Sequence, residues 1–180
     1  RNVELNKVNI ACCFCTFKRE KELSYNVNNI IDNVINNPKS ILYSRCKVFI
    51  ADNGHSITSD MFKDDKNVFV FDNPNYGGSA GFTRCMIESC IHRKGEFTHI
   101  ILMDDDAVIE SYVIERTAAL LYLLKDEFKN YMIGGALMSL HNKTIQYENR
   151  AKLNRFFDFK PIEQNVDFKD FNNVVTNRSE

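Results

Sequence analysis

The chain has 180 residues and a formal net charge of −1, with both signs interspersed, which argues against a basic nucleic-acid surface or a polybasic membrane patch. One domain is expected at this length, with a core that fourteen Phe and seven Tyr can fill. No apolar run approaches the ~20 residues needed to span a bilayer, and the start lacks a signal-peptide profile, so a soluble chain without a transmembrane segment is expected.

Val8 to Phe17 is a continuous apolar run rich in β-formers, the pattern of a strand covered on both faces. In the segment Lys18 to Pro38, Leu23, Val27, Ile30, Ile31 and Val34 recur at helical spacing, and Pro38 closes the helix. CKVFIAD (Cys46–Asp52) predicts a second buried strand ending in the turn-forming NGHS, and NVFVFD (Asn67–Asp72) a third ending in NPNYGG. Lys63 to Lys66, KDDK, reads as a solvated turn. A helix fits Ser79 to Arg93, with Phe82, Met86, Cys90 and Ile87 inward.

HIILM (His99–Met103) predicts the fourth strand. Residues Ser111 to Phe128 form a third helix whose stripe is Val113, Thr117, Leu120, Leu121, Leu124 and Phe128. YMIGGALMSL (Tyr131–Leu140) predicts a fifth strand. Alternating strands and helices with uniformly apolar strands give an α/β class with a mostly parallel sheet flanked by helices. Residues 1–140 are expected to form this core. Residues 141–180, irregular and aromatic, predict a hairpin or a loose tail. The start at Arg1 and the polar end suggest a domain excised from a longer protein.

Six cysteines are present, and Cys12 with Cys15 makes a C-x-x-C pair. Three of the six lie inside a predicted strand, whereas redox pairs sit at strand-to-helix junctions and structural zinc needs a second pair. A reduced, cytoplasmic compartment is expected. His55, His92 and His99 lack ligand spacing and read as surface or satisfied core residues.

In an open α/β sheet, ligands bind outside the carboxyl ends of the strands. The four ends supply Thr16, Lys18 and Arg19; then Asp52, Asn53 and Gly54; then Asn73, Asn75, Gly77 and Gly78; then Asp104, Asp105 and Asp106. Cations on the first and third loops suit phosphate oxygens, and glycines let a ligand approach the backbone. Three adjacent carboxylates repel one another unless water, a helix N-terminus or a metal absorbs the charge.

One Asp before a helix is commonly a cap; three exceed that need. In an extended segment the first and third side chains share a side, so Asp104 and Asp106 can hold one divalent cation while Asp105 turns elsewhere. Asp52 reads either as a ligand group or as an ordinary turn residue feeding Asn53-Gly54. NPNYGGSAGFTR fits neither the dinucleotide fingerprint nor the phosphate loop. Arg84, read as lying near a helix start, is unfavourable to the dipole unless an anion sits alongside.

The succession CTFKRE, ADNGHS, NPNYGGSAGFTR and HIILMDDD, spread over Val8 to Leu140, resembles the GT-A glycosyltransferases of family 2, most of all the galactofuranosyltransferase-like branch. The resemblance implies a GT-A, Rossmann-like fold and a UDP-sugar donor. Thr16 and Arg19 correspond to first-loop residues that meet the nucleotide and diphosphate, and Asp52 to the acid that recognises the base. Asn75, Gly77, Gly78, Gly81 and Arg84 match the loop shaping the donor pocket. Asp104 and Asp106 match the ligands of Mn²⁺ or Mg²⁺, with Asp105 facing the donor sugar or ribose.

An inverting transfer to a glycan or lipid-linked glycan acceptor of a bacterial cell envelope or capsule is implied, in the cytoplasm or at the inner face of the membrane. The catalytic base is unassigned. Glu148 in QYEN matches a Glu after the fifth strand without carrying a role, and Asp158, Glu163, Asp167 and Asp170 stand outside any motif. Two other readings are open: a metal-dependent nucleotidyltransferase, whose first loop is usually glycine-rich where CTFKRE has no glycine, and a non-catalytic nucleotide- or glycan-binding module.

Overall fold

The computed structural model describes residues 8–63, 66–128, 130–156 and 158–176; Asp64 and Asp65, central to the expected KDDK turn, lie outside the described residues. The chain divides into two compact units, residues 1–129 and 130–180. Among the described residues, no helix is long and apolar enough to cross a membrane.

The first unit runs β1 (Ile10–Thr16), α1 (Glu20–Ile30), β2 (Cys46–Asp52), β3 (Val68–Asp72), α2 (Gly78–Met86), β4 (His99–Asp104) and α3 (Ser111–Leu123). Its sheet has the order β3-β2-β1-β4, all parallel. β1 is central, with Phe14 opposite Ile50 on one side and Met103 on the other. Alternate residues then serve two cores. Ile10, Cys12 and Phe14 pack with α1 and α3, whereas Ala11 and Cys13 pack with Phe49 and with Cys85 of α2. A Rossmann-like α/β layering results: a parallel sheet with helices on both faces.

α1 buries Leu23, Val27 and Ile30 completely and continues as a π-helical turn, Ile31–Ile35, that buries Ile31, Val34 and Ile35. Its N-cap residue is Arg19, which makes no side-chain cap bond. A missing cap forfeits about 1 kcal/mol, while each fully buried Leu or Ile returns roughly 1.5–3 kcal/mol, so packing decides. The uncapped arginine can reach across the sheet edge.

Two expected helix faces are corrected. α2 turns Gly81, Cys85 and Ser89 inward, while Met86 and Cys90 are exposed and Phe82 and Ile87 half-buried. The helix lies so close to β1 that a methyl at Gly81 would overlap Cys15 Sγ and stand 3.0 Å from Cys15 Cβ. Cys85 Sγ sits 3.3 Å from Phe14 O. Only small side chains fit such an approach, and a π-helical turn, Ile87–Ile91, extends the same face. In α3 the buried stripe is Ile114, Ala118 and Leu121, leaving Val113 and Leu120 exposed.

In the second unit, Tyr131–Leu140 is not a strand of the parallel sheet. Leu137–Met138 alone forms β5, antiparallel to β6 (Ile145–Leu153), which pairs in turn with β7 (Phe159–Asp167); α4 (Phe171–Thr176) follows. Gly134 and Gly135 interrupt the apolar run, and glycine in a strand interior weakens it. The hairpin expected from residues 141–180 is β6–β7. Its turn is held by Asn154, whose side-chain oxygen accepts from the N–H groups of Phe156 (2.8 Å) and Asp158 (3.0 Å).

Candidate functional site

With every strand of the first unit parallel, all four carboxyl ends lie on one edge. The order β3-β2-β1-β4 reverses direction between β1 and β4. Side chains from these two strands' ends meet there, at the topological switch point where ligands of such sheets bind. Thr16 Oγ1 donates to Asp105 Oδ2 at 2.8 Å. Arg19 Nη1 lies 3.5 Å from Asp105 Oδ1 and forms a close ion pair with Asp106. Hydrogen bonding to Asp106, and then its charge and that of Asp105, raise the Arg19 pKa further above its ordinary value.

The three carboxylates divide accordingly. Asp105 is 8 % exposed and turned inward onto Thr16, whereas Asp104 and Asp106 are exposed. β4 ends at Asp104, and Asp105 and Asp106 already belong to a turn. Repulsion within the run is relieved by one hydroxyl, one guanidinium and the exposure of Asp104 and Asp106.

The loop carrying this run is clamped from below by α1. Asn26, 2 % exposed on the otherwise apolar face of that helix, donates to the carbonyls of Asp105 (3.2 Å) and Ala107 (2.9 Å) and accepts from the N–H of Ile109 (3.2 Å). Asn29 adds a bond to Ile109 O at 3.0 Å. Neither Asn belonged to the sequence-derived site. The signal was there: a buried Asn among Leu23, Val27 and Ile30 must satisfy its amide, and irregular backbone packed against the helix is the usual partner.

The β2 and β3 loops form the other half of the edge. Asp52 is fully buried, and its carboxylate accepts from the backbone N–H groups of Gly54 (2.9 Å), Ser56 (2.6 Å) and Ile57 (2.7 Å). Both oxygens are thereby committed to the loop's own turn, the bland alternative for this residue. Asn53 links the loops. Its side-chain oxygen accepts from Asn73 Nδ2 at 2.7 Å, and its amide lies 3.5 Å from Asn75 Oδ1 and 3.4 Å from Gly77 O.

Gly77 has φ +83°, a conformation that favours glycine, and hands the chain into α2. A methyl at Gly78 would meet open space, unlike one at Gly81, which packs on Cys15. Gly77 and Gly78 therefore face the edge, and Gly81 serves helix packing. Arg84 is not at a helix start: it lies in the last turn of α2, pairs with Glu88 at 2.8 Å and stacks 5.4 Å from the Phe71 ring centre. Its charge is balanced without an anion.

The C-x-x-C reading fails on strand geometry, since three residues along β1 put Cys12 and Cys15 on opposite faces. The cysteines are free thiols, and Cys12 Sγ lies 3.6 Å from Cys46 Sγ. That contact and burial push the Cys12 thiol well above its ordinary pKa; burial and neighbouring Cys85 and Asp105 raise that of Cys15. Such thiols are poor nucleophiles.

Among the described residues, no three His, Cys, Asp or Glu side chains stand close enough to cage a metal ion. Mn²⁺ or Mg²⁺ held by one or two carboxylates and completed by substrate phosphates and water needs no such cage. Asp104 and Asp106, both exposed on this edge, present the oxygen donors such an ion takes, and Arg19 occupies Asp106. Glu148 lies on β6 of the second unit, opposite Gln164.

No protein-family model matches the chain, and no curated protein matches it.

Proposed function

We propose that this chain binds the donor of an inverting GT-A glycosyltransferase reaction, taking a sugar from a UDP-sugar such as UDP-galactofuranose for transfer to a glycan acceptor. One observation carries the reading: Thr16, Arg19, Asp105 and Asp106 converge at the β1/β4 switch point, on the same sheet edge as the Gly77-Gly78 start of α2. A helix N-terminus and an arginine suit a diphosphate, and exposed carboxylates beside them suit a cation that accompanies it.

Thr16 and the Asn26 clamp hold the acidic loop in place before any ligand arrives. Arg19 trades Asp106 for a phosphate oxygen, a charge-assisted bond of similar kind, so the exchange costs little. Mn²⁺ or Mg²⁺ on Asp104 and Asp106 would supply Lewis-acid stabilisation of the departing nucleoside diphosphate. Asp105, held by Thr16, acts as a brace of the loop with little surface to offer a sugar or ribose. Asp52 shapes the β2 loop, and base recognition falls to that loop's surface.

Calorimetry with UDP, UDP-galactose and UDP-galactofuranose, with and without Mn²⁺, tests the reading. Metal-dependent UDP binding, abolished by Asp104→Ala or Asp106→Ala, is expected. Equally tight metal-free binding contradicts it. Stronger binding of CTP than of UDP favours a nucleotidyltransferase.

A further inference from the structure

The β6–β7 hairpin of the second unit ends in a turn where bare rings and cations meet. Phe156 and Phe159 are 68 % and 74 % exposed, and Leu153 is 51 % exposed. In the register of the two strands Leu153 stands opposite Phe159, and Lys152 opposite Lys160. Side chains alternate along each strand, so the Leu–Phe pair occupies one face and the lysine pair the other, one residue farther from the turn. We propose that this hairpin tip is a docking site for an anionic lipid surface, entered turn first, with Leu153, Phe156 and Phe159 below the headgroups and Lys152, Arg155 and Lys160 among them. The proposal does not depend on the glycosyltransferase reading.

Charge selects the partner. From Lys152 to Lys160 the sequence carries three cations, Lys152, Arg155 and Lys160, against one carboxylate, Asp158, a local excess of +2 in a chain whose net charge is −1. Asp158 is engaged by Asn154 Nδ2 at 3.3 Å. Two lysines directly across a ladder repel one another and destabilise the strand pair; lipid phosphates set around them remove that cost. Arg155 stacks 4.9 Å from the Phe156 ring centre, so guanidinium and ring travel together to the boundary between headgroups and acyl chains.

The backbone limits how deep the tip goes. Asn154 accepts from the N–H groups of Phe156 and Asp158, and its own N–H donates to Asp158 O at 3.0 Å, which removes part of the turn's polar cost. Among the described residues β5 pairs with β6 only at Gln146 and Glu148, so the tip is two-stranded and its outer backbone groups need water. The seat is therefore interfacial, roughly 5–10 Å deep. A second copy adding a strand there fits poorly, because Pro161 brings no N–H to a ladder and lysines blunt an edge.

The chain contains no Trp, so Phe159→Trp supplies a single fluorophore at the tip. With vesicles of phosphatidylcholine and phosphatidylglycerol in equal parts, a blue shift of its emission and co-sedimentation of the whole chain are expected, both weakened by added salt, with little binding to phosphatidylcholine alone. Phe156→Ser with Phe159→Ser should lower the partition coefficient about tenfold or more. Lys152→Glu with Lys160→Glu should abolish the preference for anionic vesicles. All four positions are exposed, so the fold is retained, and a circular dichroism melt checks it.

Absence of both the emission shift and co-sedimentation, equal binding to the two vesicle types, or binding unchanged in both double variants overturns the proposal. Binding of a polyuridine strand without any vesicle binding also overturns it and reassigns the tip to nucleic acid. Anionic-vesicle binding by a chain that ignores UDP and Mn²⁺ upholds the docking site while defeating the nucleotide reading, so the two failures are separable.

Discussion

Asn26→Ala should loosen the acidic loop and cost more than its single side chain suggests. The amide makes three bonds, to Asp105 O, Ala107 O and Ile109 N, of 2.9–3.2 Å. At about 1 kcal/mol net for each bond the loss is about 3 kcal/mol, and alanine's better helix propensity returns roughly 0.6 kcal/mol. A net loss of about 2–3 kcal/mol follows, which lowers the melting temperature of a chain this size by about 5–10 °C.

Asn26→Asp refines the test. It keeps the shape and the acceptor toward Ile109 but sets a carboxylate against two carbonyl oxygens, so it should be at least as damaging near neutral pH. Urea unfolding gives the magnitude, and hydrogen exchange at the Ile109 amide gives the location. Asn33→Ala, at an exposed site, should stay within about 0.5 kcal/mol. A loss that small for Asn26→Ala, with the Ile109 amide still protected, would refute the clamp.

Gly81→Ala should destabilise by up to about 2 kcal/mol, overpacking of roughly 1–3 kcal/mol against Cys15 being offset by the ~1 kcal/mol gained in helix propensity; Cys15→Ala in the same chain should recover part of it in urea unfolding. Burial lowers the pKa of His99 below its ordinary 6.5, so the unfolded chain binds the extra proton. The His99 contribution is full above about pH 6.5 and fades as pH falls through the lower folded value, and His99→Gln should flatten that part of a stability-against-pH curve. Arg19→Ala should tighten Mn²⁺ binding in the absence of nucleotide, by releasing Asp106, yet weaken UDP binding about tenfold or more by removing a charged partner of the phosphate; calorimetry reads both signs.

The sequence made β1, β2 and α1 readable because their chemistry is extreme. β1 and β2 are apolar almost throughout, and Leu23, Val27, Ile30, Ile31 and Val34 repeat at helical spacing and are all fully buried. Alternation of strands and helices then implied a parallel sheet with one ligand-bearing edge. α2 defeated the same logic because its inward face is Gly81, Cys85 and Ser89. A stripe selected for smallness carries no hydrophobic signal, and the larger Met86 outcompetes it in any periodicity while pointing to solvent. The run Tyr131–Leu140 misled for the opposite reason, being apolar enough for a buried strand but interrupted by two glycines.

At the site, residue types were legible and partners were not. Asp104, Asp105 and Asp106 announced an unusual charge density, but which of them is buried depends on Thr16 and Arg19, nearly ninety positions away in sequence. Arg84 looked misplaced because it was read near a helix start; it lies in the last turn of α2, with its partner Glu88 one turn on. Asn26 was hidden among apolar neighbours although its burial required three backbone partners.

Crystals grown with UDP and Mn²⁺, measured at the manganese absorption edge, address the central claim most directly. An anomalous peak held by the carboxylates of Asp104 and Asp106, bridged to diphosphate oxygens, with Arg19 turned from Asp106 toward a phosphate, is the predicted result. UDP bound away from the β1/β4 edge, or at that edge with Arg19 still on Asp106 and the manganese elsewhere, would contradict it.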